Sequence, residues 1–211
     1  MRRVHPKARY KRSFDLTVMI VAHLLLLPLW AILWALIPLL IWLEDRGPVF
    51  FRQQRPGKDG QLFTVWKFRT MVVDAERHGP AWTIEGDPRI TLVGRFLRRT
   101  ALDELPGVIS IWKGDMSLVG PRALPVEEQQ LLQRQVPDFA KRLTVRPGLT
   151  GLAQVYDVVD DAQTKLRYDL QYIRSMSPWL DFKLLFMSAL NTFANRWDRR
   201  SGKQKAPALR E

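Results

Sequence analysis

From residue 16 to residue 43 the chain contains no Asp, Glu, Lys or Arg, and two prolines, Pro28 and Pro38, interrupt that apolar run. As a straight helix at about 1.5 Å per residue the stretch would be roughly 40 Å long, more than the ~30 Å hydrocarbon core of a bilayer. A single spanning helix is therefore long enough. Both flanks are basic, however. Arg2, Arg3, Lys7, Arg9, Lys11 and Arg12 precede the run, and Arg46, Arg52, Arg55 and Lys58 follow it. Basic flanks favour the cytoplasmic side. A helix that enters the bilayer, breaks near Pro28 and returns to the same face satisfies both ends, because proline lacks the amide proton and its ring clashes with the preceding turn. The sequence favours this re-entrant reading over a single span. The run is longer and bulkier than a signal peptide's apolar region, and a core helix apolar on every face would need more protein to wrap it than 211 residues provide. His23 stands alone in the run and reads as a packing residue, since nothing nearby completes a metal site.

The length fits one domain plus a membrane element: residues 1–45 as basic segment and membrane helix, 46–195 as the globular part, 196–211 as a basic tail. A net charge of +12 calls for an anionic partner, which charge alone leaves open among nucleic acid, acidic lipid headgroups and a phosphorylated substrate. The absence of cysteine excludes disulfides and thiolate metal sites. Trp30, Trp34 and Trp42 lie in or at the edge of the apolar run, where indole rings mark the headgroup level.

After the run, Glu44-Asp45-Arg46-Gly47-Pro48 returns the chain to water. Residues 49–53 and 62–67 read as strands of a hairpin whose turn needs positive φ. Residues 74–89 read as loop. Leu102, Leu105, Ile109 and Trp112 recur at helical spacing, so a helix is expected over 102–112. Further helices are expected over 126–142, 162–176 and 179–193, the last opened by Ser177-Pro178, with an apolar side suited either to a core or to a membrane surface. Gly120-Pro121-Arg122 and the 146–151 segment read as tight arginine-bearing loops. The fold class expected is α+β, mainly helical.

Common phosphate-enzyme motifs are missing: there is no G-x-x-x-x-G-K-[ST] loop, no G-x-G-x-x-G turn, no H-E-x-x-H helix and no Asp-x-Asp triplet. What remains is an acidic pair, Asp103-Glu104, set directly after Arg95, Arg98 and Arg99. Pro106 belongs in a helix's first turn, which places the pair at a helix N-terminus, where amides and dipole favour an ionised Asp103. A plain cap, with Thr100 and Asp103 as a capping box, is the competing explanation. A carboxylate can also attack phosphorus, once arginines and a divalent cation neutralise the phosphoryl group, to form an acyl phosphate. Lys67, Arg69, Arg122 and Arg146 are candidate clamps for such a group.

Six blocks in order carry a family resemblance: Lys67-Phe68-Arg69-Thr70-Met71; Asp87-Pro88-Arg89-Ile90-Thr91 with Gly94-Arg95-Phe96-Leu97-Arg98-Arg99-Thr100; Leu102-Asp103-Glu104-Leu105-Pro106; Lys113-Gly114-Asp115-Met116-Ser117-Leu118-Val119 running into Gly120-Pro121-Arg122; and Arg146-Pro147-Gly148-Leu149-Thr150-Gly151-Leu152-Ala153-Gln154-Val155. Together they resemble the bacterial sugar transferases, specifically the monotopic polyprenol-phosphate phosphoglycosyl transferases in their minimal form. The resemblance implies a bacterial cytoplasmic-membrane protein with its catalytic domain on the cytoplasmic face, a re-entrant helix and interfacial amphipathic helices. It implies that Asp103 attacks the β-phosphorus of a UDP-sugar, expels UMP and passes the phosphosugar to polyprenol phosphate. Mg²⁺ would screen the phosphates at Asp103 and Glu104, with Glu104 as metal partner or base. By the same matching Arg122 contacts phosphate, and Lys67, Arg69, Arg95 and Arg146 line the site. Membrane lipid and the two substrates are then the partners, and nucleic acid is not; the sugar and the oligomeric state stay open.

Two departures stand out. Leu27 precedes Pro28 where the family commonly has serine, which removes a hydroxyl that would bond freed carbonyls. Ala123 follows Arg122 where the family has a second proline, so that loop is less stiff. Two rival classes remain at this level: a basic lipid-binding protein without catalysis, and a nucleotide-sugar hydrolase using water.

Overall fold

The structure is a computed structural model and describes residues 9–78, 86–157 and 161–193. The basic residues Arg2, Arg3 and Lys7 and the 196–211 tail lie outside them.

The apolar run forms two helices, α1 (Lys11–Leu25) and α2 (Leu27–Asp45), separated at Leu26, whose φ of −109° and ψ of 20° leave the helical region. Pro28 sits in the first turn of α2, where its missing amide costs least, and it offers no donor to the carbonyl four residues back. Rings seven residues apart start about 10 Å apart along a straight axis. His23 and Trp30 nevertheless stack with centroids 4.4 Å apart and planes within 7°, across the break. His23 is thus a packing residue.

The hairpin is β1 (Phe50–Pro56) against β2 (Leu62–Phe68), antiparallel with Phe50 opposite Phe68 and Pro56 opposite Leu62. Asp59 and Gly60 supply the positive φ of its turn. α3 (Leu92–Arg99), which the periodicity did not suggest, starts at Thr91, whose Oγ1 accepts from the Gly94 amide at 3.0 Å, while the Leu92 amide donates to Glu44 at 2.6 Å. The end of α2 therefore caps the start of α3. Ile37, Ile41, Phe68 and Leu97 form a small core between α2, the hairpin and α3, with Leu102 and Leu105 packed on it.

Instead of one helix over 102–112 there is a 3₁₀ turn, Leu102–Gly107, followed by α4 (Val108–Lys113). Pro106 has no amide to close an α-turn, and Ala101 enters at φ 55°, so the first turn tightens. Likewise 126–142 divides at Val136-Pro137 into α5 (Val126–Gln135) and a 3₁₀ segment, because the residue before proline is pushed into an extended conformation. The two arginine loops contain short parallel strands, β3 (Ser117–Val119) and β4 (Gly148–Thr150). A Cβ on Gly148 would collide with the Gly120 amide, so this close approach depends on glycine. α6 (Leu152–Tyr156), α7 (Ala162–Ser175) and α8 (Pro178–Phe193) complete the fold, and Ser177 Oγ accepts the Leu180 amide at 3.2 Å as an N-cap.

The main core gathers Met19 of α1 with Phe63, Val65, Ile111, Val119, Tyr172 and Leu184. Polar bonds fix α1 there. Lys11 Nζ donates to the Val119 carbonyl at 2.7 Å, to Tyr172 at 3.0 Å and to Asp181 at 2.8 Å, and Asp15 accepts from Ser117 Oγ and the Leu118 amide.

Candidate active site

The period-two geometry of the hairpin puts Phe51, Gln53 and Arg55 of β1 on one face with Phe63, Val65 and Lys67 of β2. The 3₁₀ turn 102–107 lies across this face. Its Leu102 and Leu105 point into the core, and Asp103 and Glu104 face β2. Lys67 Nζ is 2.8 Å from Glu104 Oε1 and 3.9 Å from Asp103 Oδ2. Arg122 Nη2 reaches the same Glu104 oxygen at 2.9 Å. One carboxylate oxygen thus joins a strand lysine and a loop arginine, while Asp103 stands beside them. The adjoining open cleft is lined by Arg55, Lys67, Glu104, Arg122 and Gly148 among others.

Electrostatics separate the two carboxylates. Burial raises the Asp103 pKa, and the neighbouring Glu104 charge adds to this against the opposing pull of Lys67 and Arg98. Burial alone would raise Glu104 too, but Lys67 and Arg122 outweigh it and hold the group well below the usual carboxylate range. Burial also lowers Lys67. The helix N-terminus expected to favour an ionised Asp103 is not built: the pair sits in a 3₁₀ turn, and desolvation dominates. Nor does Thr100 form a capping box with Asp103, since its hydroxyl donates backwards to the Phe96 carbonyl at 2.9 Å.

Lys67, Arg122, Asp103 and Glu104 are thus brought together, and three other expected residues are not. Arg69 is buried and pairs with Asp45 at the end of α2, fastening the hairpin to that helix. Arg95 is exposed on α3. Arg146 turns towards Gly114 and Arg12 on the α1 side. The α3 arginine that acts on Asp103 is Arg98, whose Nε donates to Thr70 Oγ1 at 2.8 Å.

Two contributors escaped the sequence reading. Arg55 lies in the cleft with its guanidinium held by the Ala123 carbonyl and by Gln53 Oε1, and burial, reinforced by Arg122, lowers its pKa to about 10. Extending the strand's alternation by two residues would have placed it on the Lys67 face. Arg142, 1% exposed, is bonded to Asp169 at 2.7 Å and Gln129 at 3.1 Å and donates to the Arg122 carbonyl at 2.7 Å, so it positions the Arg122 loop. No sequence signal marks it, because its partners come from three separate segments.

Among the described residues no group of three or more His, Asp or Glu side chains forms a protein-only metal cage. The dyad still suits Mg²⁺, which takes one or two carboxylates and completes its shell with substrate phosphates and water. Lys67 and Arg122 both engage Oε1 of Glu104.

The model of the bacterial sugar transferase family matches residues 6–195. The chain is 38% identical over 192 residues to the UDP-glucose:undecaprenyl-phosphate glucose-1-phosphate transferase of Escherichia coli (strain K12), covering 88% of this chain and 40% of that protein. It is 40% identical over 188 residues to the undecaprenyl-phosphate glucose phosphotransferase of Komagataeibacter xylinus, covering 84% and 35%. With the exopolysaccharide production protein PSS of Rhizobium leguminosarum bv. phaseoli the identity is 38% over 186 residues, covering 83% and 91%. The chain therefore spans about two fifths of the first two relatives and nearly all of the third, and it belongs to the bacterial sugar transferase family.

Proposed function

We propose that this chain moves a sugar-1-phosphate from a UDP-sugar to undecaprenyl phosphate through a covalent phosphosugar on Asp103, releasing UMP, as the first committed step of a membrane glycoconjugate. The observation that carries the reading is the Lys67–Glu104–Arg122 group beside a half-withheld carboxylate: Arg55, Lys67 and Arg122 bring more positive charge to the cleft than the dyad neutralises. A diphosphate is the ligand that such a surplus suits. The names of the relatives support the donor and acceptor classes.

In the first step an Asp103 oxygen forms a bond to the β-phosphorus, and the bond from that phosphorus to the bridging oxygen breaks, its electron pair leaving with UMP. In the second, an oxygen of undecaprenyl phosphate attacks the same phosphorus, and the Asp103–phosphorus bond breaks to restore the carboxylate. Arg122 and Lys67 hold phosphoryl oxygens as Glu104 orients both cations. Its depressed pKa suits this charge-holding role better than that of a base near neutral pH. Asp103 and Glu104 would hold Mg²⁺, which would supply further neutralisation of phosphate charge when bound.

The membrane reading rests on exposed apolar surface. α2 is long and apolar enough to cross a bilayer, and Leu24, Leu25, Leu27, Ile32 and Leu36 are exposed around the break. Trp179, Phe182, Phe186 and Leu190 are exposed along one side of α8, as an interfacial helix requires. We place the protein at the bacterial cytoplasmic membrane with α1 and α2 dipping in and returning. Single cysteines at Arg9 and Lys58 should both label from the cytoplasmic side; labelling from opposite sides would establish a span. The reaction itself is tested by screening UDP-sugars for UMP release with undecaprenyl phosphate and Mg²⁺. Asp103→Asn should lower release at least about a thousandfold while the variant still floats with vesicles. Release at the parental rate would remove Asp103 as nucleophile.

A further inference from the structure

Arg146 lies two residues from the cleft-lining Gly148 but does not itself line the cleft. A Cβ built on Gly114 would sit 3.9 Å from Arg146 Nη2 and 3.7 Å from Arg12 Nη1, so both guanidinium groups overhang one point at the end of α4. Arg12 is held there, with Nη1 donating to the Ile111 carbonyl at 2.6 Å and Nη2 to the Trp112 carbonyl at 2.7 Å. These bonds use two of its five N–H donors. Among the described residues no hydrogen bond or ion pair engages Arg146, and its charge works against that of neighbouring Lys11. Gly114, at φ 88°, ends α4 without a side chain and keeps the gap between the two arginines open.

The height of this pair identifies its ligand. Arg12 precedes the first residue of the uncharged run by four positions, about 6 Å along a helix, which is the thickness of one headgroup layer. Trp112, 40% exposed and edge-on to His23, marks the same level. We propose that Arg12 and Arg146 form a phosphate-binding site, separate from the Asp103 cleft, for the headgroup of an anionic bilayer phospholipid. The site rests on the membrane seating proposed above. Guanidinium groups suit a phosphodiester because they donate in pairs to its oxygens, and the bound lipid would fasten the start of α1 to the leaflet.

The test uses the full chain in detergent, titrated by native mass spectrometry with phosphatidylglycerol, phosphatidylcholine and undecaprenyl phosphate. Arg146→Gln is compared with Arg134→Gln, which removes the same charge from an exposed site on α5. The expected result is about tenfold weaker binding of one phosphatidylglycerol in R146Q, with R134Q and all phosphatidylcholine binding unchanged. Equal effects of the two substitutions would reduce the pair to general charge and overturn the site. Loss of undecaprenyl phosphate binding with phosphatidylglycerol spared would assign Arg146 to the acceptor and overturn the phospholipid reading. Flotation of the wild type with neutral vesicles checks the membrane seating separately, since the apolar helices should hold it there without acidic lipid.

Discussion

Asp103 and Glu104 are neighbours in sequence with opposite electrostatic fates, and this asymmetry makes the chemistry reasonable. In the proposed mechanism an ionised Asp103 is the reactive form, so activity should fall as pH drops through its raised pKa, earlier than for an ordinary carboxylate. The Glu104 charge is one cause of that elevation. The residual activity of Glu104→Gln should therefore show its acid limb at lower pH than wild type; a limb moved to higher pH would contradict the assignment. Stability runs the other way for Glu104. Its depressed pKa contributes stability above the ordinary carboxylate range that is lost as pH falls through the folded-state value. Removing its charge leaves Lys67 and Arg122 confronting each other, at a cost of about 3 kcal/mol in denaturant unfolding near neutral pH. Asp103→Asn removes a poorly solvated charge and should leave the melting temperature unchanged or higher. At this scale the gathering of Asp103, Glu104, Lys67 and Arg122 was legible because the motif blocks name them. Arg55 and Arg142 were not, since their roles depend on which strand face and which segments meet in space. Arg69 was assigned to the site from its place at the hairpin's exit and from the family match, and period two would keep it on the Lys67 face, but β2 ends at Phe68 and beyond it Arg69 pairs with Asp45.

Among the elements, the helix break was the most readable feature, because the effect of Pro28 is local and covalent. Pro28→Ala restores the amide that the carbonyl of Leu24 lacks and removes the ring clash, so α1 and α2 should merge into one helix. The cysteine at Lys58 should then label from the opposite side to the one at Arg9; unchanged labelling would show that tertiary bonds alone set the bend. Strands β3 and β4 were not readable, as three residues carry no usable period and their pairing depends on the Gly120 and Gly148 backbones meeting. The split of the expected 102–112 helix has a local cause in Pro106 that the sequence did contain. Its result, a 3₁₀ turn with Leu102 and Leu105 in the α2–hairpin core, holds the dyad close to α2.

Across the whole molecule, one buried bond set ties the apolar helices to the catalytic body: Lys11 to Asp181, Tyr172 and Val119, and Asp15 to β3. Asp181 is fully buried and Asp15 is 1% exposed, so Lys11→Met would remove the cation paired with Asp181 and acting on Asp15, and should cost about 3 kcal/mol in unfolding free energy. A loss below about 1 kcal/mol would show that α1 is held by packing alone. With α1 fixed in this way, the break at Leu26, the apolar side of α8 and the Asp103 cleft belong to one body, as the proposed meeting of a lipid-borne acceptor with a nucleotide donor requires. The most direct measurement is intact-protein mass spectrometry of the full chain, quenched after mixing with a UDP-sugar and Mg²⁺ and without acceptor lipid. The expected spectrum shows the added mass of one sugar phosphate, mapped by fragmentation to Asp103 and removed when undecaprenyl phosphate is added. An adduct on another residue, or no adduct without acceptor from a preparation that turns over when both substrates are supplied, would contradict the covalent aspartyl intermediate.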